Sequence, residues 1–477
     1  PAPSRQPGEG RPATIGRTAM TDTKIIVLDD DPTGSQTVHS CLLLTRWDPG
    51  TLREALLDEA PLFFVLTNTR GMDAERAAQV TRTVCANLRL ALADLAAAGR
   101  PLNPILVSRS DSTLRGHYPV ETDVMAEVLG PFDAHFLVPA FFEGGRFTRD
   151  SVHYLNVKGV PTPVHETEFA KDSVFGYRHS YLPDYVEEKT QGRIRADQVE
   201  RFLLADVRGD ASSRLLALSG NRCCVVDAET QADLDTFAGH LKDAAARGKR
   251  FLFRSAASLL TALARLPAQP VAAEDMGGYV RGGRPGAVIV GSHVQKTTAQ
   301  LQRLLAEHGT VALEVDVDRI QQDRSTLLDS LLARAAEAHA KGLTPVIYTS
   351  RQERQFPDQA TRLAFGEAVS AFLMDVVRGL PPSLGFLVSK GGITSNDVLS
   401  DGLALRTARV LGQVLPGCSV VRCPPEHLRY PDLPVVIFPG NVGDDAALAT
   451  VFRRLAATGA AGGAGRHNGH HEACLPV

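Results

Sequence analysis

Apolar runs of strand length return along this chain at intervals, and longer Ala- and Leu-rich stretches of helical period fill the space between them. That alternation admits few folds, because it is the pattern of a mainly parallel sheet with helices covering both faces. In the first half the runs are "KIIVL" (24–28), "LFFVLT" (62–67), "PILVS" (104–108), "HFLVPA" (135–140), "CCVVDA" (223–228) and "FLFRS" (251–255). In the second half they are "GAVIVG" (286–291), "VALEVD" (311–316), "PVIYTS" (345–350), "GFLVSK" (385–390), "CSVVRC" (418–423) and "VVIFPG" (435–440). At 477 residues the chain exceeds one ordinary core at about 100 to 200 residues per domain. Pro and Gly cluster and periodicity lapses in "LPAQPVAAEDMGGYVRGGRPG" (266–286), which marks a boundary.

The expected architecture is therefore α/β: two three-layer α/β domains with mainly parallel sheets facing each other across a cleft. The first spans 24–267 and the second 286–456, joined by a linker at 268–285. Residues 1–23 read as a disordered leader with Met20 a plausible start, and the Gly- and Ala-rich 457–477 as a disordered tail. One segment interrupts the alternation. Residues 165–193, polar and aromatic, are long for a simple connection and read as an ordered cover, with Tyr177, Arg178 and Lys189 reaching over the substrate.

Charge narrows the function classes. A formal net charge of -3 gives no reason to expect nucleic acid or an anionic membrane as partner. Runs such as "PVVIF" are far shorter than the roughly 20 residues that span a bilayer. The seven cysteines form no CxxC pair, so neither a zinc site nor a disulfide framework is indicated, and a cytoplasmic location is expected.

In open α/β sheets ligands bind beyond the carboxyl ends of the strands. In the second half those positions read "GSHVQKT" (291–297), "TSR" (349–351), "KGGITSND" (390–397) and "PGNVGD" (439–444). Each glycine turn alone could be what a tight strand-to-helix connection requires. Several at one sheet edge suit a polyphosphate, whose oxygens meet backbone N–H groups. No Walker GxxxxGK[ST] occurs, and no GxGxxG follows a strand. The first half has different chemistry: "DDDPTG" (29–34), "TNTRG" (67–71), "SRSDSTLRGH" (108–117) and "PAFFEGGR" (139–146). Carboxylates suit hydroxyl recognition and proton abstraction, and Arg70, Arg109 or Arg115 could pair bidentately with a substrate carboxylate. The structural alternatives are an Asx turn at Asp31, a helix cap at Asp111 or Ser112, and surface ion pairs for the arginines.

The ordered motifs "LDDDPTGSQTV", "SRSDSTLRGH", "GSHVQKTTAQL", "GGITSNDV" and "PGNVGD" resemble those of the four-carbon acid sugar kinases. The resemblance implies an ATP-dependent kinase for the terminal hydroxyl of a C4 sugar acid of the threonate, erythronate or 3-oxo-tetronate type, with Mg²⁺. It implies sugar binding in the N-terminal domain by Asp30, Asp31, Arg70, Asp111, Ser112, Thr113 and Arg115. ATP would meet Ser292, Gly391, Gly392, Ile393, Thr394, Gly440, Asn441 and Gly443. Asp31 or Asp30 is the group expected to orient or deprotonate the hydroxyl. Asp397 and Asp444 are candidates for the metal or its waters, with a helix cap the structural alternative for Asp397, and Lys296 and Lys390 for phosphate charge, with a solvated side chain the alternative for either. Sugar acid and ATP are the expected partners, and a homodimer is an open alternative to a monomer. Better-known members read DDFTGA where this chain has DDDPTGSQ, and 165–193 resembles an insertion relative to them. Two readings compete: a metal-dependent sugar-acid aldolase or hydrolase, which should carry His-rich metal spacing, and a non-catalytic nucleotide sensor, which would have no need of the acids.

Overall fold

The computed structural model describes residues 23–292, 295–351, 358–440 and 442–456. The expected leader lies almost entirely, and the tail entirely, outside them. In chain order the strands are β1 (Thr23–Asp29), β2 (Leu42–Leu44), β3 (Leu62–Leu66), β4 (Asn103–Arg109), β5 (Ala134–Val138), β6 (Arg146–Arg149), β7 (Val152–Val157), β8 (Val160–Pro163) and β9 (Glu200–Phe202). They continue as β10 (Arg222–Val226), β11 (Phe251–Ser255), β12 (Ala287–Val290), β13 (Thr310–Val315), β14 (Thr344–Thr349), β15 (Leu387–Lys390), β16 (Thr407–Leu415), β17 (Cys418–Arg422) and β18 (Pro434–Phe438). All twelve apolar runs are strands.

Fifteen of these strands form one sheet in the order β13-β14-β12-β15-β18-β17-β16-β2-β3-β1-β4-β11-β5-β10-β9. Each half is parallel within itself, as the alternation predicts. The halves meet through an antiparallel insert, in which β17 pairs with β18, β16 with β17, and β16 with β2. The last contact is short, with Thr407, Ala408 and Arg409 opposite Leu44, Leu43 and Leu42. Arg409 reinforces it by gripping both carboxylate oxygens of Asp58 at 2.9 and 2.7 Å.

Strand β1 shows why the sheet needs two helix layers. Ile25 and Val27 enter one core cluster, and Ile26 and Leu28 another. The second is closed by Val84, Leu88, Ala91 and Leu95, which share one face of the helix Ala74–Ala97. Each such fully buried large side chain contributes roughly 1.5 to 3 kcal/mol. The stretch expected to be a linker, 268–285, is packed: Met276 sits in the C-terminal core, and Gln269 exchanges hydrogen bonds with the backbone of Gln413 at 2.9 and 3.1 Å.

The segment 165–193 is ordered. It follows the small antiparallel sheet β6-β7-β8, contains the helix Leu182–Lys189, and packs Tyr177, Leu182, Tyr185 and Val186 against Leu114, Leu137 and Val225 of the N-terminal half. Among the described residues no helix is long and apolar enough to cross a membrane.

Candidate active site

The carboxyl ends of both parallel halves open into one cleft of about 2400 Å³. Loops after β1, β3, β4 and β5 line one end of it and loops after β12, β14, β15 and β18 the other, with the β16–β17 turn (Leu415, Pro416, Gly417) between.

The three consecutive acids at the end of β1 go to three different places. Asp29 is fully buried, with Arg109 Nη1 at 3.5 Å and no hydrogen bond to either carboxylate oxygen. Burial pushes it up to about 8, against the pull of Arg109. A Cβ on Gly34 would fall 1.9 Å from Asp29 Oδ2, so the turn closes directly over this carboxylate. Asp30, also buried, is held by Arg70, whose Nη2 and Nε donate at 2.5 and 3.2 Å. Asp31 caps the short 3-10 helix Pro32–Ser35, accepting from the Thr33 N–H at 2.8 Å and the Thr33 hydroxyl at 2.5 Å. This is the Asx-type turn the sequence allows. Burial would raise Asp31, but Arg70 and Thr33 outweigh it and hold the carboxyl below its ordinary value. Asp31 lines the cleft, whereas Asp30 stands behind Arg70 and does not. Asp30, expected as a substrate contact or catalytic group, is thus engaged by Arg70 and set back from the cleft surface.

The loop after β4 is the second polar wall. Asp111 binds Arg115 Nε at 2.8 Å and the Thr113 hydroxyl, and against its burial Arg70 and Arg115 hold it well below the usual carboxylate range. Arg115 also faces Asp172 Oδ2 at 3.6 Å and lies 4.9 Å from the Phe169 ring. Three consecutive carbonyls of this loop are pinned from outside. His153 Nε2 sits 2.8 Å from Ser112 O, Tyr177 donates to Thr113 O at 2.6 Å, and Tyr185 to Leu114 O at 2.8 Å. Leu114 itself has φ +67°, a conformation that needs outside support in a residue other than glycine. Tyr177 thus braces the wall from behind. Arg178 turns outward to Glu188, and Lys189 donates to Phe175 O and Gly176 O, so neither lines the cleft. Phe169, Ser173 and Val174 are the residues of 165–193 that face the cleft.

At the other end, Ser292, Gly391, Gly392, Ile393, Thr394, Gly440 and Gly443 line the same cleft, as do Asp397 and Asp444. Asn441 lies outside the described residues. Gly391 has φ +119° and opens the helix Gly392–Asp397, where a Cβ would come 3.1 Å from Ser292 Cβ. Asp397 is engaged by the Ser370 hydroxyl and by Asn396 Nδ2 at 3.1 Å, while Asp444 accepts from Ala446 N–H at 3.0 Å and is otherwise exposed. Lys390 differs from expectation. It is fully buried, donates to Pro439 O at 2.6 Å and Gly440 O at 3.1 Å, and so supports the backbone of a glycine turn. Burial pushes it down to about 7.

The two ends touch. A Cβ on Gly392 would stand 3.4 Å from Asp31 Oδ2, so the one acid of the cluster that reaches the cleft abuts the glycine turn of the other half. The sequence passed over Arg146 and Arg351, although both stand in strand-end loops already singled out. Arg351 lines the cleft and donates to Ser292 O and the Thr298 hydroxyl, each at 2.6 Å.

Comparisons with known proteins give the same division. A sugar-binding N-terminal domain model matches residues 25–263, and a nucleotide-binding C-terminal domain model matches 287–448. A D-erythronate kinase of Heliobacterium modesticaldum is 30% identical over 226 residues, 45% of this chain and 47% of that protein. The chain thus spans about half the length of this relative. A solved structure from Salmonella typhimurium LT2 shares the fold with TM-score 0.66 at 19% identity, covering 90% of this chain and 98% of that one. A Haemophilus influenzae protein from a domain family of unknown function does so with TM-score 0.62 at 16% identity, covering 90% and 100%. With one domain model on each parallel half, and acids and glycine turns meeting in a shared cleft, the chain belongs to the four-carbon acid sugar kinase family.

Proposed function

We propose that this protein transfers the γ-phosphoryl group of ATP to the terminal hydroxyl of a four-carbon sugar acid, of the threonate, erythronate or 3-oxo-tetronate type. The observation that carries the reading is the contact between Asp31 and the Gly391–Gly392 turn across the two halves. An acceptor for a hydroxyl proton and backbone N–H groups for a phosphate must be that close if one oxygen is to attack the other group's phosphorus.

Phosphoryl transfer through a loose transition state asks the protein mainly for positioning and charge stabilisation. Asp31, held ionised by Arg70 and Thr33, suits the role of orienting the hydroxyl more than that of a strong base. Arg70 sits between Asp30, Asp31 and Asp111 and fixes their spacing. The glycine turns would receive the phosphates, with Ser292, Thr394 and Arg351 adding donors. Mg²⁺ bound with the nucleotide would neutralise phosphate charge. Such an ion needs only one or two protein carboxylates. Asp397 and Asp444 at the nucleotide end fit that requirement, and among the described residues no larger cluster of metal-ligating side chains gathers.

The test is an ADP-release assay over a panel of C4 sugar acids, with titration of ADP and Mg²⁺ alongside. Turnover on at least one acid is expected. Nucleotide binding with no turnover on any acid would leave the sensor reading in its place.

A further inference from the structure

Four arginines look into the sugar end of the cleft, and three already face carboxylates of the protein. Arg70 is taken by Asp30 and Asp31, Arg109 faces Asp29 at 3.5 Å and Asp30 at 3.9 Å, and Arg115 joins Asp111 and Asp172. Drawing any of these onto a ligand would leave a buried or half-buried acid without its counter-charge, which is costly. Arg146 differs, for it pairs with no acidic side chain among the described residues. Its Nη1 donates to Gly144 O at 2.6 Å, its guanidinium stands 5.8 Å from the Phe141 ring, and its Nε is buried with no acceptor.

The loop that presents Arg146 is built for it. Phe141 and Arg146 exchange backbone hydrogen bonds at 3.0 and 2.9 Å, closing a tight return between β5 and β6. A Cβ on Gly144 would come 2.1 Å from Arg146 Nη1, so that position must be bare for the guanidinium to lie where it does. A half-buried guanidinium lacking a counter-ion is expensive to maintain, and an anion with two coplanar oxygens relieves that cost by accepting two parallel N–H bonds. Position matters as well. Arg146 neighbours Asp111, Asp111 neighbours Arg70, and Arg70 reaches Asp31, so a row of charged groups runs from Arg146 toward the meeting point of the two halves.

We infer that Arg146 receives the carboxylate of the sugar acid and so directs the hydroxyl at the other end of the molecule toward Asp31. The inference rests on the sugar-acid kinase reading. It assigns the choice of an acid over a neutral polyol or amide to one residue that makes no ion pair among the described residues.

Calorimetric titration of erythronate and of its neutral amide into the full-length protein, with ADP and Mg²⁺ held constant, tests it against Arg146→Met and Arg146→Lys. Loss of a charge-assisted pair predicts about 10- to 100-fold weaker erythronate binding in Arg146→Met, with a smaller loss in Arg146→Lys. Affinity for the amide should stay at the wild-type value, and the unfolding temperature should not fall. Unchanged erythronate affinity would overturn the inference, and so would an equal loss for acid and amide, which would mean that Arg146 only props its loop. Should the wild type bind neither erythronate nor threonate, the inference falls with the reading beneath it. Acid binding without ADP release from ATP would remove the kinase reading alone.

Discussion

Removing the phenol oxygens of Tyr177 and Tyr185 tests whether the segment 165–193 shapes the sugar site. Each hydroxyl donates to a buried loop carbonyl, Thr113 O at 2.6 Å and Leu114 O at 2.8 Å. Phenylalanine at either position keeps the ring packing, including the edge contact between the two rings at 5.8 Å. The change is thereby confined to one donor, and an orphaned buried carbonyl costs about 1 to 3 kcal/mol. Both carbonyls belong to the same loop, so the double variant should lose about 2 kcal/mol or more and depart from additivity. For a unit of this size each kcal/mol lowers the midpoint of unfolding by roughly 2 to 4 °C, so a fall of about 4 to 8 °C is expected in a thermal scan. The informative readout is kinetic. Asp111, Ser112, Thr113 and Arg115 ride on this loop, so KM for the sugar acid should rise about 10-fold or more while KM for ATP stays constant. A double variant that melts early yet keeps its sugar-acid KM would refute the reasoning, since the clamp would then serve stability alone.

Asp31→Asn should lower kcat by about 10²- to 10⁴-fold while ADP affinity by calorimetry stays intact; a large loss of ADP binding would mean that Asp31 belongs to the nucleotide site. Lys390, pushed down to about 7, binds fewer protons folded than unfolded between that value and its ordinary one, so its contribution makes stability rise with pH above 7. Lys390→Met should flatten the rise of denaturant midpoint between about pH 7 and 10, and an unaltered slope would count against a perturbed amine. Asp29, pushed up to about 8, has the opposite sign: the folded chain holds a proton that the unfolded chain has released, so stability falls from about pH 4 toward 8. Asp29→Asn should remove that fall, as read by urea titrations across the same range.

Much of the frame is legible in sequence because parallel strands buried on both faces must be apolar throughout, and eleven of the twelve apolar runs are parallel strands, Cys418–Arg422 being the antiparallel one. Six strands are not legible as apolar runs: the three of the small antiparallel sheet, the edge strand Glu200–Phe202, and the two at the junction. Leu42–Leu44 is three residues long, and Thr407–Leu415 carries Arg409, Gly412 and Gln413 among its apolar residues, so neither reads as a continuous run. Strand-end loops were equally legible as site material, since the carboxyl-end rule follows from topology. Partnership was not. Nothing in "LDDDPTG" says that Asp30 turns to Arg70 and Asp31 to the cleft, or that Lys390 folds back on Pro439 O. Arg146 in "PAFFEGGR" stands out only once the ion pairs of Arg70, Arg109 and Arg115 are known, a relation between loops far apart in sequence.

The unbroken sheet has a mechanical consequence. A two-lobed enzyme joined by a free linker closes like a door, with a few backbone dihedrals taking up the rotation. Here the lobes are joined by the ladder from Leu42–Leu44 to Thr407–Leu415, and the stretch 268–285 is anchored by Gln269 and Met276. Narrowing of the cleft must then be taken up as added twist in the antiparallel strands, which behave as a leaf spring. The register shifts in the pairing of Thr407–Leu415 with Cys418–Arg422 are where a sheet bends most readily. On the proposed kinase reading, the stiffness of that spring would set how far Asp31 and Gly392 separate between turnovers, and so how fast product leaves.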